Sequence, residues 1–314
     1  MNEHRIILMT PLPLDNVETP AGKLSFITYA GDSSIFVQAN ILCVTPFNNL
    51  DAEFIEQLPD NIKCITTIGV GTDHIDLNAA KRKNIVVTNT PVVTEDTADL
   101  AFSLILAASR RLTANERFLR NNNWSDTNPV GIIGQSVHHK TLGIVGLGAI
   151  GQAVARRAQG FNMKVIYYTP SRKVEAENAI NATYCETLES LLEQADIVSL
   201  HCPLIKDTEY LINKQTLSLM KPSSVLINTG RGALVDEKAL VQALENKQIS
   251  AAGLDVFEDE PKVTEELKAF DNVTLLPHIG SATSECRTIM VQTMIKNIVC
   301  YLTGTPINIV ESKA

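Results

Sequence analysis

The stretch Leu142-Gly143-Ile144-Val145-Gly146-Leu147-Gly148-Ala149-Ile150-Gly151 decides how this chain folds. Residues 142–145 form a short apolar run of the length and kind that a buried strand uses. The run passes directly into the pattern Gly-x-Gly-x-x-Gly, and residues 150–159 then carry helical spacing. Each glycine meets a different steric demand. Gly146 makes a tight turn, Gly148 lets backbone approach a pyrophosphate, and Gly151 allows the helix to pack closely on the strand. The start of the helix adds free N–H groups and the positive end of its dipole. Strand, glycines and helix together read as a dinucleotide-binding turn made of Gly146, Leu147, Gly148, Ala149, Ile150 and Gly151.

The same alternation extends in both directions. Downstream, apolar strands are expected at 141–145, 164–169, 197–200, 223–228, 251–256 and 273–276. Helices are expected between them at 150–159, 187–194 and 237–244, the last with Asp236 as N-cap. Upstream, strands are expected at 5–10, 24–29, 41–44, 64–68 and 85–88, with a helix at 51–57 among them. Near-continuous apolar strands separated by helices imply parallel sheets covered on both faces. The fold class is therefore α/β, with two doubly wound parallel-sheet domains, Rossmann-like and flavodoxin-like, and a cleft between them. A long helix over 96–111 leaves the first unit, and the polar run 120–129 reads as an exposed loop. The final helix, 284–302, is expected to return to the first unit. The expected division is a discontinuous substrate domain, 1–98 plus 285–314, and a dinucleotide-binding domain, 99–284.

Composition narrows the functional class. With 314 residues, 45% hydrophobic and 20% charged, the chain can build two cores of ordinary size. Its formal charge of −8 argues against non-specific binding to nucleic acid or an anionic membrane. The apolar run 100–109 is about half the length of a membrane span. No targeting segment is read at the start of the chain. The six cysteines are scattered without a Cys-x-x-Cys spacing and read as reduced thiols of a cytoplasmic protein. No cluster has metal-ligand spacing, so no metal is expected.

The end of the second strand of a dinucleotide fold bears on which dinucleotide binds. A carboxylate there accepts hydrogen bonds from the ribose hydroxyls of NAD. Here the sequence is Thr169-Pro170-Ser171-Arg172-Lys173, with no acid to repel a 2′-phosphate. A hydroxyl at Thr169, Ser171 and the two cations Arg172 and Lys173 suit a phosphate, with Arg172 able to make bidentate contacts, so NADP(H) is expected over NAD(H).

Three further residues suit chemistry beside a nicotinamide. Hydride transfer to a carbonyl needs a proton source, alignment of the substrate and neutralisation of charge. His278, in Leu276-Pro277-His278-Ile279-Gly280, can move a proton near neutral pH. Glu260, in Asp255-Val256-Phe257-Glu258-Asp259-Glu260-Pro261, can orient the imidazole and favour its protonated form. Arg231, in Asn228-Thr229-Gly230-Arg231-Gly232, can fork onto a 2-oxo-carboxylate. Taken singly, Arg231 could cap a turn, Glu260 could be an exposed charge and His278 a loop histidine. Taken together they follow the carboxyl ends of expected strands, where ligands of such sheets bind.

These motifs, with His201-Cys202-Pro203-Leu204, resemble the D-isomer-specific 2-hydroxyacid dehydrogenases over nearly the whole chain. The resemblance implies that Arg231, Glu260 and His278 are a catalytic trio with His278 as acid/base. It implies that Asp255 contacts the nicotinamide end, and that Pro203, Thr208, Thr229 and Gly280 line the cofactor. In the first domain, Gly69-Val70-Gly71-Thr72-Asp73-His74-Ile75-Asp76 is similar to the family's carboxylate loop, with the N–H groups of Val70 and Gly71 as donors. His74 and Asp76 read as structural there, and Arg82 and Lys83 as a solvated face. The segment from Asn89-Thr90-Pro91 through Thr94 to Ala101 looks most like the glyoxylate/hydroxypyruvate reductase branch. A homodimer is implied, with contacts from the region 96–135. The expected reaction is reduction of a small 2-oxoacid such as glyoxylate or hydroxypyruvate. Alternatives are reduction of 2-ketogluconate, pyruvate or a bulkier oxoacid, and a non-catalytic dinucleotide-sensing module like the C-terminal-binding-protein corepressors.

Overall fold

A computed structural model describes residues 2–311. The chain divides into two compact units, Met1–Val93 with Ala282–Ala314, and Thr94–Ser281.

The first unit holds a six-stranded sheet. Its strands are β1 (Glu3–Leu8), β2 (Val17–Thr19), β3 (Gly22–Thr28), β4 (Ile41–Val44), β5 (Cys64–Thr67) and β6 (Val86–Thr88), in the order β2-β3-β1-β4-β5-β6. All neighbours are parallel except β2 and β3, which pair antiparallel. Without β2 the order is that of a flavodoxin-like sheet. Strand β2 was not anticipated, because three residues at a sheet edge need no apolar pattern. Two short helices, α1 (Ala52–Gln57) and α2 (Leu77–Arg82), start at aspartates whose side chains accept from backbone N–H groups. Asp51 accepts from Phe54, and Asp76 accepts from Ala79. His74 is buried and its Nε2 lies 3.0 Å from the Thr67 hydroxyl.

Lys83 departs from the expected solvated face. Its ammonium donates to the carbonyls of Glu56 and Leu58 at the end of α1, and its side chain is only 15% exposed. A helix C-terminus offers unpaired carbonyls and a negative dipole end, so a nearby cation is drawn in. Arg82 stays exposed, paired with Glu56 at 3.0 Å.

The second unit holds a seven-stranded, all-parallel sheet in the order β13-β12-β11-β10-β7-β8-β9. The strands are β7 (Thr141–Val145), β8 (Lys164–Tyr168), β9 (Ala182–Tyr184), β10 (Ile197–Leu200), β11 (Val225–Asn228), β12 (Ala251–Leu254) and β13 (Val273–Leu275). Strand order reverses between β7 and β10, the switch point at which doubly wound sheets bind ligands. The helices are α3 (Thr94–Arg110), α4 (Leu112–Arg120), α5 (Ala149–Gln159), α6 (Val174–Ile180), α7 (Leu188–Gln194), α8 (Lys214–Leu217), α9 (Glu237–Glu245) and α10 (Glu265–Ala269). Two apolar layers cover the two faces. Leu226 joins the layer with Leu191 and Leu240, while Val225 and Ile227 join the layer with α3 and α5. The strand period of two assigns these sides.

The long helix expected over 96–111 is present as α3, and a further helix that was not anticipated, α4, follows it. Arg111 takes a φ of +55°, in the left-handed region, and α4 begins immediately after it. The last helix, α11 (Ser284–Leu302), belongs to the first unit. Cys286, Met290, Met294 and Ile298 recur every four residues and pack with Ile6, Leu8, Ile41, Cys43 and Cys64. Among the described residues no helix is long and apolar enough to cross a membrane.

Candidate active site

The dinucleotide turn sits between β7 and α5. Gly146 has a φ of +97°, and a Cβ there would lie 2.5 Å from the Cys202 nitrogen. At Gly151 a Cβ would lie 2.2 Å from the Gly146 carbonyl oxygen. Neither position can carry a side chain without moving backbone. Gly148 is different: a Cβ there would meet open space, and no side chain caps the start of α5. An uncapped eleven-residue helix facing open space beside a bare backbone fits a pyrophosphate. Nearby, the Thr208 hydroxyl donates to the Pro203 carbonyl at 2.6 Å and accepts from the Ile205 N–H at 2.9 Å. The Thr229 hydroxyl is buried and has no hydrogen-bond partner among the described residues, as a group awaiting a ligand would be.

The turn after β8 is more ordered than its sequence suggests. The Thr169 hydroxyl donates to the Ser171 carbonyl at 2.8 Å. Its one proton is thereby committed within the turn and is not directed at a phosphate. Arg172 is held by a carboxylate that lies five residues on. Its Nε and Nη2 donate to the two oxygens of Glu177 at 2.8 and 2.7 Å. The Arg172 side chain remains 55% exposed.

The three chemical residues are brought together by loops that follow β11, β12 and β13. After β11, the buried Asn228 amide accepts from the Gly230 N–H at 3.0 Å and donates to the Arg231 carbonyl at 2.8 Å. This ties the turn that carries Arg231. Gly232 lies against the loop after β12, since a Cβ there would fall 1.9 Å from the Phe257 carbonyl. That loop is fixed by Glu237, a buried side chain at the start of α9, which accepts from the Glu258 N–H at 2.9 Å and from the Thr264 hydroxyl. Glu260 then accepts from the Phe257 N–H at 3.0 Å with one oxygen and from His278 Nδ1 at 2.7 Å with the other. After β13, His278 has a φ of +53°. The oxygens of Asp255 accept from the Ile279 and Gly280 N–H groups at 2.8 Å each, holding the loop.

Charge follows from this geometry. Burial pushes Glu260 up, but the hydrogen bond and charge of His278, the Phe257 N–H and the charge of Arg231 outweigh it and hold Glu260 below the usual carboxylate range. Burial raises Asp255, against the pull of the Ile279 N–H and the His278 charge. A second histidine, His201, is pushed down to about 4 by burial, so it is neutral at working pH. Because Nδ1 donates to Glu260, a proton exchanged with a substrate would move at Nε2 of His278. Among the described residues no group of three or more His, Cys, Asp or Glu could hold a metal ion.

Val70 and Gly71 stand in the first unit, in the loop after β5. Gly69 has a φ of +126° and donates its N–H to the Thr90 hydroxyl at 2.7 Å. The Asn89 amide donates to the Val70 carbonyl at 2.8 Å. Sequence reasoning missed Asn228, Glu237 and Glu177, and gave Asp255 no part in holding the His278 loop. Asn228 and Asp255 had a signal, being polar residues at the ends of buried strands. Glu177 and Glu237 had none, since each looks like an ordinary acid in the first turns of a helix.

Comparison with known proteins gives consistent findings. A family model described as D-isomer specific 2-hydroxyacid dehydrogenase, NAD binding domain, matches residues 102–280. The chain is 47% identical over 281 residues to the glyoxylate reductase of Thermococcus litoralis, covering 88% of this chain and 84% of that protein. A crystal structure of a glyoxylate reductase from Paecilomyes thermophila superposes with a TM-score of 0.87 at 32% identity, covering 99% of both chains. The NADPH-dependent glyoxylate/hydroxypyruvate reductase of Sinorhizobium meliloti, solved with NADP and malonate, gives a TM-score of 0.87 at 32% identity, also over 99% of both chains.

Proposed function

The chain belongs to the D-isomer-specific 2-hydroxyacid dehydrogenases, and from that membership we propose that it reduces glyoxylate to glycolate or hydroxypyruvate to D-glycerate with NADPH. Membership makes it an NAD(P)-dependent oxidoreductase that reduces 2-oxoacids. The observation that carries the proposal is the 2.7 Å bond between His278 and Glu260, with the charge of Arg231 acting on the same carboxylate.

The bound nicotinamide would supply the hydride. Glu260 stays ionised and orients the His278 ring through Nδ1. His278 then delivers a proton from Nε2 to the carbonyl oxygen as it gains charge. Arg231 binds the substrate carboxylate and polarises the carbonyl. Asp255 and Asn228 keep the two loops in register by bonding backbone. The backbone N–H groups of Val70 and Gly71 are proposed as further donors to a carboxylate. For the cofactor, Gly146 to Gly151 would hold the pyrophosphate, and Pro203, Thr208, Thr229 and Gly280 would line the rest of it. Ser171 and Arg172 would take the 2′-phosphate, with Arg172 as its cation, while the Thr169 hydroxyl shapes the turn. Among the described residues no disulfide joins the six cysteines, which suits the proposed cytoplasmic site.

The test is the initial rate of glyoxylate and hydroxypyruvate reduction by purified protein with NADPH and with NADH. A kcat/KM at least about tenfold higher with NADPH, a difference of about 1.4 kcal/mol, supports the whole reading. Equal or better rates with NADH keep the chemistry and remove the phosphate subsite. Turnover only on larger oxoacids removes the substrate assignment.

A further inference from the structure

We propose that Glu177 is the positioning residue of the 2′-phosphate subsite, holding the Arg172 guanidinium in place and so setting the preference for NADPH. The inference rests on the NADPH reading above.

The turn after β8 is exposed, and an arginine in it would ordinarily sample many rotamers that a phosphate must then select. In this chain the selection is made in advance. Both oxygens of Glu177 take Arg172 in a planar fork at 2.7 and 2.8 Å. Glu177 is itself anchored from below. The fully buried Tyr167 donates its hydroxyl to Glu177 at 3.0 Å and accepts the Lys173 N–H at 3.0 Å. The Glu177 side chain is only 13% exposed, whereas Arg172 is 55% exposed. The Tyr184 ring lies 5.8 Å from the guanidinium carbon, a second surface that restricts it. The guanidinium has five N–H donors, and the fork uses two of them. The rest lie on edges that face away from the carboxylate, where a phosphate can be received. A lone carboxylate would repel a 2′-phosphate, but this one is neutralised by the cation it positions.

The alternative is a surface ion pair that only fastens α6 to β8. The two differ in what they do to the cofactors. Fastening the fold affects NADPH and NADH alike, while positioning Arg172 affects NADPH alone. The experiment is kcat/KM for both cofactors, at saturating glyoxylate, in wild type, Glu177→Ala, Tyr167→Phe and Arg172→Ala, with thermal melts to establish folding. The expected result is that Glu177→Ala lowers the NADPH-to-NADH ratio about tenfold through the KM for NADPH. Tyr167→Phe lowers it less, and Arg172→Ala lowers it at least as much as Glu177→Ala. If Arg172→Ala lowers the ratio and Glu177→Ala does not, the positioning role is overturned and the NADPH reading stands. A ratio that rises in Glu177→Ala also overturns it, since the carboxylate then opposes the phosphate. A ratio unmoved by Arg172→Ala removes the subsite itself, and this inference with it.

Discussion

His278 sits at a φ of +53°, where a residue with a Cβ is uncommon, and the strain is held by Asp255. Asp255 takes the two N–H groups that follow, Ile279 and Gly280, and its own carbonyl accepts the His278 N–H at 2.8 Å. The ring is thereby fixed before a substrate arrives, with Nδ1 against Glu260. Glu260 is held below the usual carboxylate range. A depressed carboxylate contributes its stabilisation above its ordinary value of 4.5 and loses it only as pH falls through the lowered one. Glu260 therefore remains ionised throughout the neutral and mildly acid range. Replacing it with Gln removes the charged partner of the imidazole at Nδ1. In Glu260→Gln, kcat/KM for reduction at pH 8 should drop at least about tenfold. Initial rates of both proteins at pH 8, with thermal melts to establish folding, decide this. A rate equal to wild type would remove Glu260 from the acid/base step.

At the level of elements, the site depends on how closely two loops approach. The turn after β11 and the loop after β12 touch at Gly232, with no room for a methyl group. Gly232→Ala must push the Arg231 turn away from the loop that carries Glu260. Overpacking of this kind costs about 1–3 kcal/mol, and a displacement near 1 Å can cost about a hundredfold in rate. The variant should melt lower and lose kcat by roughly that factor, while Gly148→Ala, which meets open space, should melt like wild type. A melting point equal to wild type in Gly232→Ala would show that the loops can part freely. This approach also marks what the sequence could disclose. The fingerprint after β7 was legible because its strand, glycines and helix are contiguous, and each glycine has a local steric reason. The order of Arg231, Glu260 and His278 was legible because each follows a strand end. The clamps were not read: Asp255 and Glu237 act through partners brought close by tertiary folding, and Asn228 and Glu177 through near neighbours whose pairing their residue types alone do not announce. Edge strand β2 was hidden because a three-residue edge strand needs no apolar period. Lys83 read as exposed because the carbonyls that draw it in belong to a helix more than twenty residues earlier.

At the level of the whole molecule, apolar residues are exposed along one segment of the second unit. Leu112 and Leu119 on α4, then Trp124, Val130 and Ile133, all stand more than half exposed, with Ile133 at 82%. A run of apolar residues left in water is a place where a second protein surface is expected. The homodimer that the family resemblance implies would bury them through contacts in the region 96–135. The chain has a single tryptophan, Trp124, and it lies in this segment. Its emission therefore reports on association directly. Dilution of wild type should shift that emission to the red as the dimer parts, in step with a halving of mass by light scattering. Ile133→Asp places an unpaired charge in the contact, which costs several kcal/mol when buried and almost nothing in a monomer. The variant should be monomeric at concentrations where wild type is dimeric, with red-shifted emission and an unchanged melting point of the separated chain. A wild type that is monomeric at every concentration, or an Ile133→Asp variant that stays dimeric, would place the contact elsewhere or remove it.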